Sequence, residues 1–160
     1  MKYIKATEKY MEQIYNLVQY TIKTIYPKYY PKEVVSFFCQ YHSKERIIED
    51  INNGCVSILI KDNVLLGTGS YRDNNITRVY VDPTFQGNGY GSIIMENLEK
   101  EIALKYDTVS LDASLPASHL YEHRGYRTLK HEKRNVENDV ILVYEVMEKE
   151  FCNTNTSNFR

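Results

Sequence analysis

The sequence contains no tryptophan and only three cysteines, Cys39, Cys55 and Cys152. An odd cysteine count with no CxxC spacing excludes a disulfide framework and a zinc site, so no metal is expected. No run of about 18 apolar residues occurs, which excludes a transmembrane helix. The start, Met1-Lys2-Tyr3-Ile4-Lys5, lacks the apolar stretch of a signal peptide, and a cytoplasmic protein is expected. Without a secretion signal, Asn155-Thr156-Ser157 is read as a chance match to a glycosylation site. Excess charge of either sign is also missing: 20 Lys and Arg stand against 21 Asp and Glu, a formal net charge of -1. No sequence-wide positive field would attract a phosphate backbone, so nucleic acid is not an expected partner. The basic residues Arg124, Arg127, Lys130, Lys133 and Arg134 read as a solvated strand edge.

What is present is tyrosine, 15 residues in all, eight of them before position 42. Its ring is apolar and its hydroxyl polar, which suits the wall of a half-wet cleft as well as a core periphery. At 160 residues, with 42% apolar and 26% charged side chains, the chain is long enough for one domain with a real core.

The element pattern is mixed. Lys2–Lys5 reads as a strand, and Met11, Ile14, Leu17, Val18, Ile22 and Ile25 recur at helical spacing, with Thr7 as the expected cap. Pro27 ends that helix, Pro31 opens a second, and Ser43 caps a third that runs to Asn52-Asn53-Gly54. Three strands follow as a meander: 55–60, 64–71 and 76–81, the last ended by Asp82-Pro83. Then come a glycine-rich turn, a helix over about 91–103, a strand at 108–112, a short helix at 118–123 and a hairpin of 127–134 with 140–149. The expected class is an α/β sandwich, one domain over 1–149 with a polar tail at 150–160.

The turn Gln86-Gly87-Asn88-Gly89-Tyr90-Gly91, between a strand and a helix, has the makings of an anion site. The first amides of a helix lack internal partners, and its dipole favours negative charge there. Glycine removes the side chains that would keep a diphosphate away, while Gln86, Asn88, Tyr90 and Ser92 offer side-chain donors. A dinucleotide fingerprint fails because Ser92 stands where its third glycine belongs, and because the turn lies mid-chain after a meander. A phosphate loop fails because no lysine follows Gly89 or Gly91. The spacing that remains is Gln-x-x-Gly-x-Gly.

In context, Val79-Tyr80-Val81-Asp82-Pro83-Thr84-Phe85-Gln86-Gly87-Asn88-Gly89-Tyr90-Gly91 resembles the signature of the GNAT superfamily of N-acetyltransferases. Downstream, Ala117-Ser118-His119-Leu120-Tyr121-Glu122-His123-Arg124-Gly125-Tyr126 resembles the second motif of that superfamily. The resemblance implies a mixed, mostly antiparallel sheet with splayed middle strands flanked by helices. It also implies acetyl-CoA as cosubstrate, coenzyme A as product, and acetyl transfer to a primary amine by direct attack. Val79, Tyr80 and Val81 would meet the pantetheine through backbone groups, with an amide of Tyr80 or Val81 as oxyanion donor. Gln86 to Ser92 would hold the pyrophosphate, and Ser114 with Ala117 would flank the cofactor. Ser114 stands where many relatives carry asparagine, and no glutamate stands in Asn75-Ile76-Thr77-Arg78, where some carry a base.

Tyr121 matches the position of the general acid that protonates the departing thiolate. Candidate bases are His42, Glu45 and His123. The segment after the first helix would wall the acceptor cleft, which makes Tyr29, Tyr30, Phe38 and His42 the substrate-side candidates. A small-molecule amine is the expected acceptor. Alternatives are a protein amino terminus or lysine, or an acyl-CoA-binding regulatory module without turnover. Edge strands near the carboxyl end would allow a homodimer.

Overall fold

The computed structural model describes residues 1–152. Seven strands form one sheet in the order β1-β2-β3-β4-β5-β7-β6. They are β1 (Lys2–Lys5), β2 (Val56–Lys61), β3 (Val64–Arg72), β4 (Asn75–Val81), β5 (Thr108–Ala113), β6 (Arg127–Asn135) and β7 (Ile141–Glu150). Every pairing is antiparallel except β4 with β5, which is parallel. Turn chemistry sets the meander: Asp62 and Asn63, both at positive φ (50° and 63°), join β2 to β3 in a two-residue hairpin. That conformation matches strand twist and is tolerated best by Asn, Asp and Gly.

Helices cover both faces. α1 (Met11–Ile25), α2 (Lys32–Tyr41) and α3 (Lys44–Asn52) lie on one side, α4 (Tyr90–Ala103) on the other, and α5 (Ser118–His123) is a short turn beyond β5. Ile14, Leu17, Val18 and Ile22 of α1 meet Ile47 and Ile51 of α3 and Val56 and Ile58 of β2 in one core cluster. Ile94, Met95, Leu98 and Ile102 of α4 meet Leu66, Ile76, Val109, Leu111 and Met147 in the other. The cap at Ser43 forms as expected, its hydroxyl accepting from the Arg46 amide at 3.3 Å. The cap at Thr7 does not: its side chain makes no capping bond, because a 3₁₀ turn at Glu8–Tyr10 intervenes and α1 starts only at Met11.

Two features missed by periodicity position the site. On β4, Ser70 pairs with Arg78 but Tyr71 pairs with Ile76, which leaves Thr77 as an extra residue. Three residues apart in a regular strand, Ile76 and Val79 would face opposite ways; the bulge puts both on the α4 side. On β3, Gly67 and Gly69 let α4 lie close. A Cβ at Gly67 would come 2.7 Å from the Tyr80 carbonyl and 2.8 Å from Ile94, and one at Gly69 would come 2.6 Å from Ile94. The carboxyl end of the sheet also extends beyond the pattern, with Phe151 donating its amide to the Asp107 carbonyl at 2.8 Å.

Candidate active site

Strands β4 and β5 pair over only two rungs, Asn75 with Ser110 and Ile76 with Leu111, and then part. Side chains clamp the closed end: Asn74 Nδ2 donates to Thr108 at 3.1 Å and Asn75 Nδ2 to Ser110 at 3.0 Å. From there to Val81, β4 has strand β3 on one edge and a gap on the other. The Val81 carbonyl faces the gap, where it accepts from Gln86 Nε2 at 3.1 Å. By antiparallel alternation, the backbone groups of Val79 face the same way, while those of Tyr80 are given to β3. Of the two expected oxyanion donors, the Tyr80 amide is therefore committed to the sheet. Val81 remains, joined by Val79.

The gap opens into a cleft of about 810 Å³ that runs through the sheet. Its walls include Val79, Tyr80, Val81, Gln86, Gly87, Gly89, Tyr90, Gly91, Ser92, Ser114, Ala117 and Tyr121 on the side expected to take the cofactor. Tyr29, Phe38 and His42 line its other arm. Asn88 and Tyr30, also expected, do not line it. Asn88 turns inward, donating to the Phe85 and Gln86 carbonyls at 2.9 and 3.3 Å. Gln86 donates one N–H to the Val81 carbonyl at the end of β4 and still lines the cleft, whereas Asn88 is spent on the turn that presents the backbone. The Tyr30 hydroxyl accepts from the Leu115 amide at 3.1 Å and ties the segment before α5 to the far wall.

At the turn, Gly87 and Gly89 have φ of +81° and +79° with open space around them, so conformation is what demands glycine there. Gly89 precedes α4, and the first amides of that helix point outward. A Cβ at Gly91 would meet only Val81 at 3.8 Å, an ordinary contact, so the fold itself does not require glycine at this position.

Tyr121, half-buried on α5, packs edge-on against Tyr126 at 5.8 Å and makes no hydroxyl hydrogen bond to another described residue. Burial raises its phenol above the ordinary value, and the nearby Arg124 partly offsets this. The phenol therefore holds its proton at neutral pH.

On the other arm, Tyr80 contributes its ring, not only backbone: it stacks edge-on with His42 at 5.3 Å and shares a 3.2 Å hydroxyl contact with Tyr26. Burial pushes the Tyr26 phenol up to about 12. Phe38 meets Tyr26 edge-on at 4.9 Å and Tyr30 at 6.0 Å, so Tyr26, Tyr30 and Phe38 form one aromatic cluster. Tyr26 belongs to the segment after the first helix that the sequence already placed along the acceptor cleft, and it lines the cleft.

His42 is buried, at 4% exposure. Its Nδ1 accepts from Arg78 Nε at 3.2 Å, which places the ring proton on Nε2. Burial first, then the charges of Arg78 and Arg46, push it down to about 3. A ring so weakly basic, whose Nδ1 lone pair is already engaged, is unsuited to take an ammonium proton. Arg78 is buried too, donating to Asp50 at 3.1 Å and to Ser70 at 3.1 Å. Glu45 lies outside the cleft, on a shallow depression beside Lys44 and Gln40. His123 borders the cleft, its Nδ1 against the His119 carbonyl at 2.6 Å. Asp112, Arg134 and Tyr144 also line the cleft and were not foreseen, because the β5–β7–β6 pairing that brings them there is long-range.

A sheet forked between two parallel strands, with a glycine turn at its mouth and a proton-bearing phenol beside the gap, is the architecture of an acyl-group transferase. Residues 25–151 match the acetyltransferase (GNAT) domain family, and the chain belongs to that family. Its fold is shared with a GCN5-related N-acetyltransferase from Rhodopseudomonas palustris, with 20% identity, a TM-score of 0.84 and coverage of 94% of this chain and 95% of that one. A PaiA N-acetyltransferase from Thermoplasma acidophilum, solved with coenzyme A, gives 18% identity, a TM-score of 0.73 and coverage of 94% and 98%. The ribosomal-protein-S18-alanine N-acetyltransferase of Escherichia coli gives 15% identity, a TM-score of 0.71 and coverage of 99% of both chains. No curated protein matches the chain by sequence.

Proposed function

We propose that this chain transfers acetyl from acetyl-CoA to the primary amine of a small molecule by direct attack in a ternary complex. The observation that carries the reading is the fork between β4 and β5, whose open edge ends at the glycine turn. The residues present fit the cosubstrate. Gly87 and Gly89 at positive φ, the open surface at Gly91 and the first amides of α4 suit a diphosphate. The outward backbone groups of Val79 and Val81 suit an extended chain of amides. Bound there, acetyl-CoA supplies a thioester. Around it, the amides of Val79 and Val81 offer hydrogen bonds where negative charge develops on oxygen. Tyr121 holds a proton at Oη for the sulfur.

The three cysteines support direct attack, since none lines the cleft. Burial raises both the Cys39 and the Cys55 thiols, which disfavours a thiolate nucleophile. The aromatic rings of Tyr26, Tyr29 and Phe38 along the acceptor arm suit a small amine with an apolar body. Asn138, in the β6–β7 turn, donates to Glu33 of α2 at 3.4 Å and ties that turn to the helix. Thiol release from acetyl-CoA with a panel of primary amines tests the reading. Replacing Tyr121 with Phe is expected to lower kcat by about 10²-fold or more at saturating acetyl-CoA. Unchanged turnover would remove Tyr121 from the acid role.

A further inference from the structure

The acceptor arm carries charge in a pattern that its aromatic wall does not explain. Two charged side chains line it without an ion-pair or hydrogen-bond partner among the described residues: Asp112 on β5 and Arg134 on β6. The other charges near them are satisfied. Arg78 is held by Asp50, and Lys130 pairs with Glu132 at 2.7 Å. The Arg134 guanidinium rests on the Phe37 ring at 5.4 Å, a contact that leaves its N–H edge available.

The two groups also have an order along the cleft. Asp112 follows the last β4–β5 rung, Ile76 with Leu111, and so stands at the fork. Val109, Leu111 and Ala113 are buried in the core on the α4 side, which turns Asp112 to the opposite, acceptor side. Arg134 lies farther out: Asp112 pairs with Val146 of β7, but Arg134 pairs with Leu142, four residues along the same strand. Asp112 therefore stands at the fork and Arg134 farther along the same arm, both exposed to solvent and close enough for the Arg134 charge to act on the Asp112 carboxylate.

Resting on the acetyltransferase reading above, we propose that the acceptor is an amine that also carries a carboxylate on an apolar or aromatic body, of the amino-acid or short-peptide kind. Asp112 receives the ammonium at the fork, and Arg134 receives the carboxylate at the outer end. The rings of Tyr26, Tyr29 and Phe38 line the same cleft and offer an apolar surface to the body. A polyamine fits poorly. Its second cation would meet the Arg134 guanidinium. Acetyl transfer balances without a further reactant. One ammonium proton leaves beforehand, the nitrogen lone pair forms the C–N bond, and the C–S bond breaks with its electron pair going to sulfur. Sulfur takes the Tyr121 proton, and the proton released by the acylated nitrogen restores the phenol. Asp112 is the group placed to hold the ammonium proton that leaves first.

The test compares phenylalanine, phenylalaninamide, phenethylamine, the dipeptide Phe-Phe and spermidine as acceptors. Turnover is read as thiol release, and acetyl-CoA affinity is measured separately by calorimetry. The carboxylated acceptors are expected to exceed phenylalaninamide and phenethylamine in kcat/KM by about tenfold or more, chiefly through KM. In Arg134→Gln that ratio is expected to fall towards one, and in Arg134→Lys to stay between the two. Asp112→Asn is expected to lower kcat/KM for every amine. If acetyl-CoA binds but phenethylamine or spermidine matches or beats the carboxylated acceptors, or no carboxylated acceptor reacts, the proposal is overturned while the cosubstrate site stands. If acetyl-CoA does not bind the wild-type protein, the acetyltransferase reading fails first.

Discussion

At the scale of single residues, the site is defined by where protons sit. Burial holds the Tyr121 phenol protonated and leaves it facing the cleft, so its readiness as an acid extends beyond the ordinary phenol range. The expected pH profile of kcat therefore shows no alkaline loss attributable to Tyr121 below about pH 10. A limb near pH 8 that disappears in Tyr121→Phe would contradict this. His42 is the opposite case. Its folded value, near 3, lies below the ordinary value of 6.5, so it contributes stability that is present above pH 6.5 and lost as the pH falls towards 3. In that window the unfolded chain binds a proton that the native ring refuses. Between pH 7 and pH 5 the unfolding free energy is expected to drop by on the order of 1–2 kcal/mol through this group. Denaturant titrations of wild type and His42→Gln at both pH values check it, and an equal pH dependence in the two proteins would refute it.

At the scale of elements, the glycines of β3 and the glycine at the start of α4 do different work. Gly67 and Gly69 admit α4 to the sheet, and at Gly67 the clashing atom is the Tyr80 carbonyl, which cannot swing away. Gly67→Ala is expected to cost about 1–3 kcal/mol of stability in denaturant melts. Gly91 has room for a methyl group in the folded chain, so Gly91→Ala is expected to change the melt little. It should nevertheless weaken acetyl-CoA binding severalfold by calorimetry, since the methyl group would project towards the cosubstrate. Equal affinity in the two proteins would place the diphosphate elsewhere. The Thr77 bulge belongs to this scale as well. It aligns Ile76 with Val79 on the α4 face and leaves Arg78 and Tyr80 for the acceptor wall.

At the scale of the whole molecule, the acceptor wall is tied together by one buried network. Asp50 of α3 receives Arg72 of β3 at 2.9 Å and Arg78 of β4 at 3.1 Å. Arg78 in turn holds His42, beyond α2, and Ser70. Removing the shared carboxylate strands a buried guanidinium. Asp50→Ala is expected to destabilise the fold by about 3–5 kcal/mol in denaturant melts, and a loss below about 1 kcal/mol would mean that the network is not a structural tie. Through it, α3 and the end of α2 keep a fixed relation to β3, β4 and the fork.

The sequence by itself determined the order of elements, the glycine turn and the tyrosine motif, because each rests on contacts between near neighbours in the chain. Ser43 caps α3 and Asp62-Asn63 turn β2 into β3 for the same local reason. Only the tertiary structure decided what faces the cleft. Asn88 looks like an outward donor in sequence yet is consumed by the Phe85 and Gln86 carbonyls, and Tyr30 holds the Leu115 amide in place of lining the cleft. His42 looks like a base and becomes a weakly basic acceptor from Arg78 once both are buried. Asp112 and Arg134 carry no motif; strand pairing across β5, β7 and β6 brings them to one arm. Local pattern fixes which hydrogen bonds a segment can offer, and long-range packing fixes which remain to be offered to a ligand.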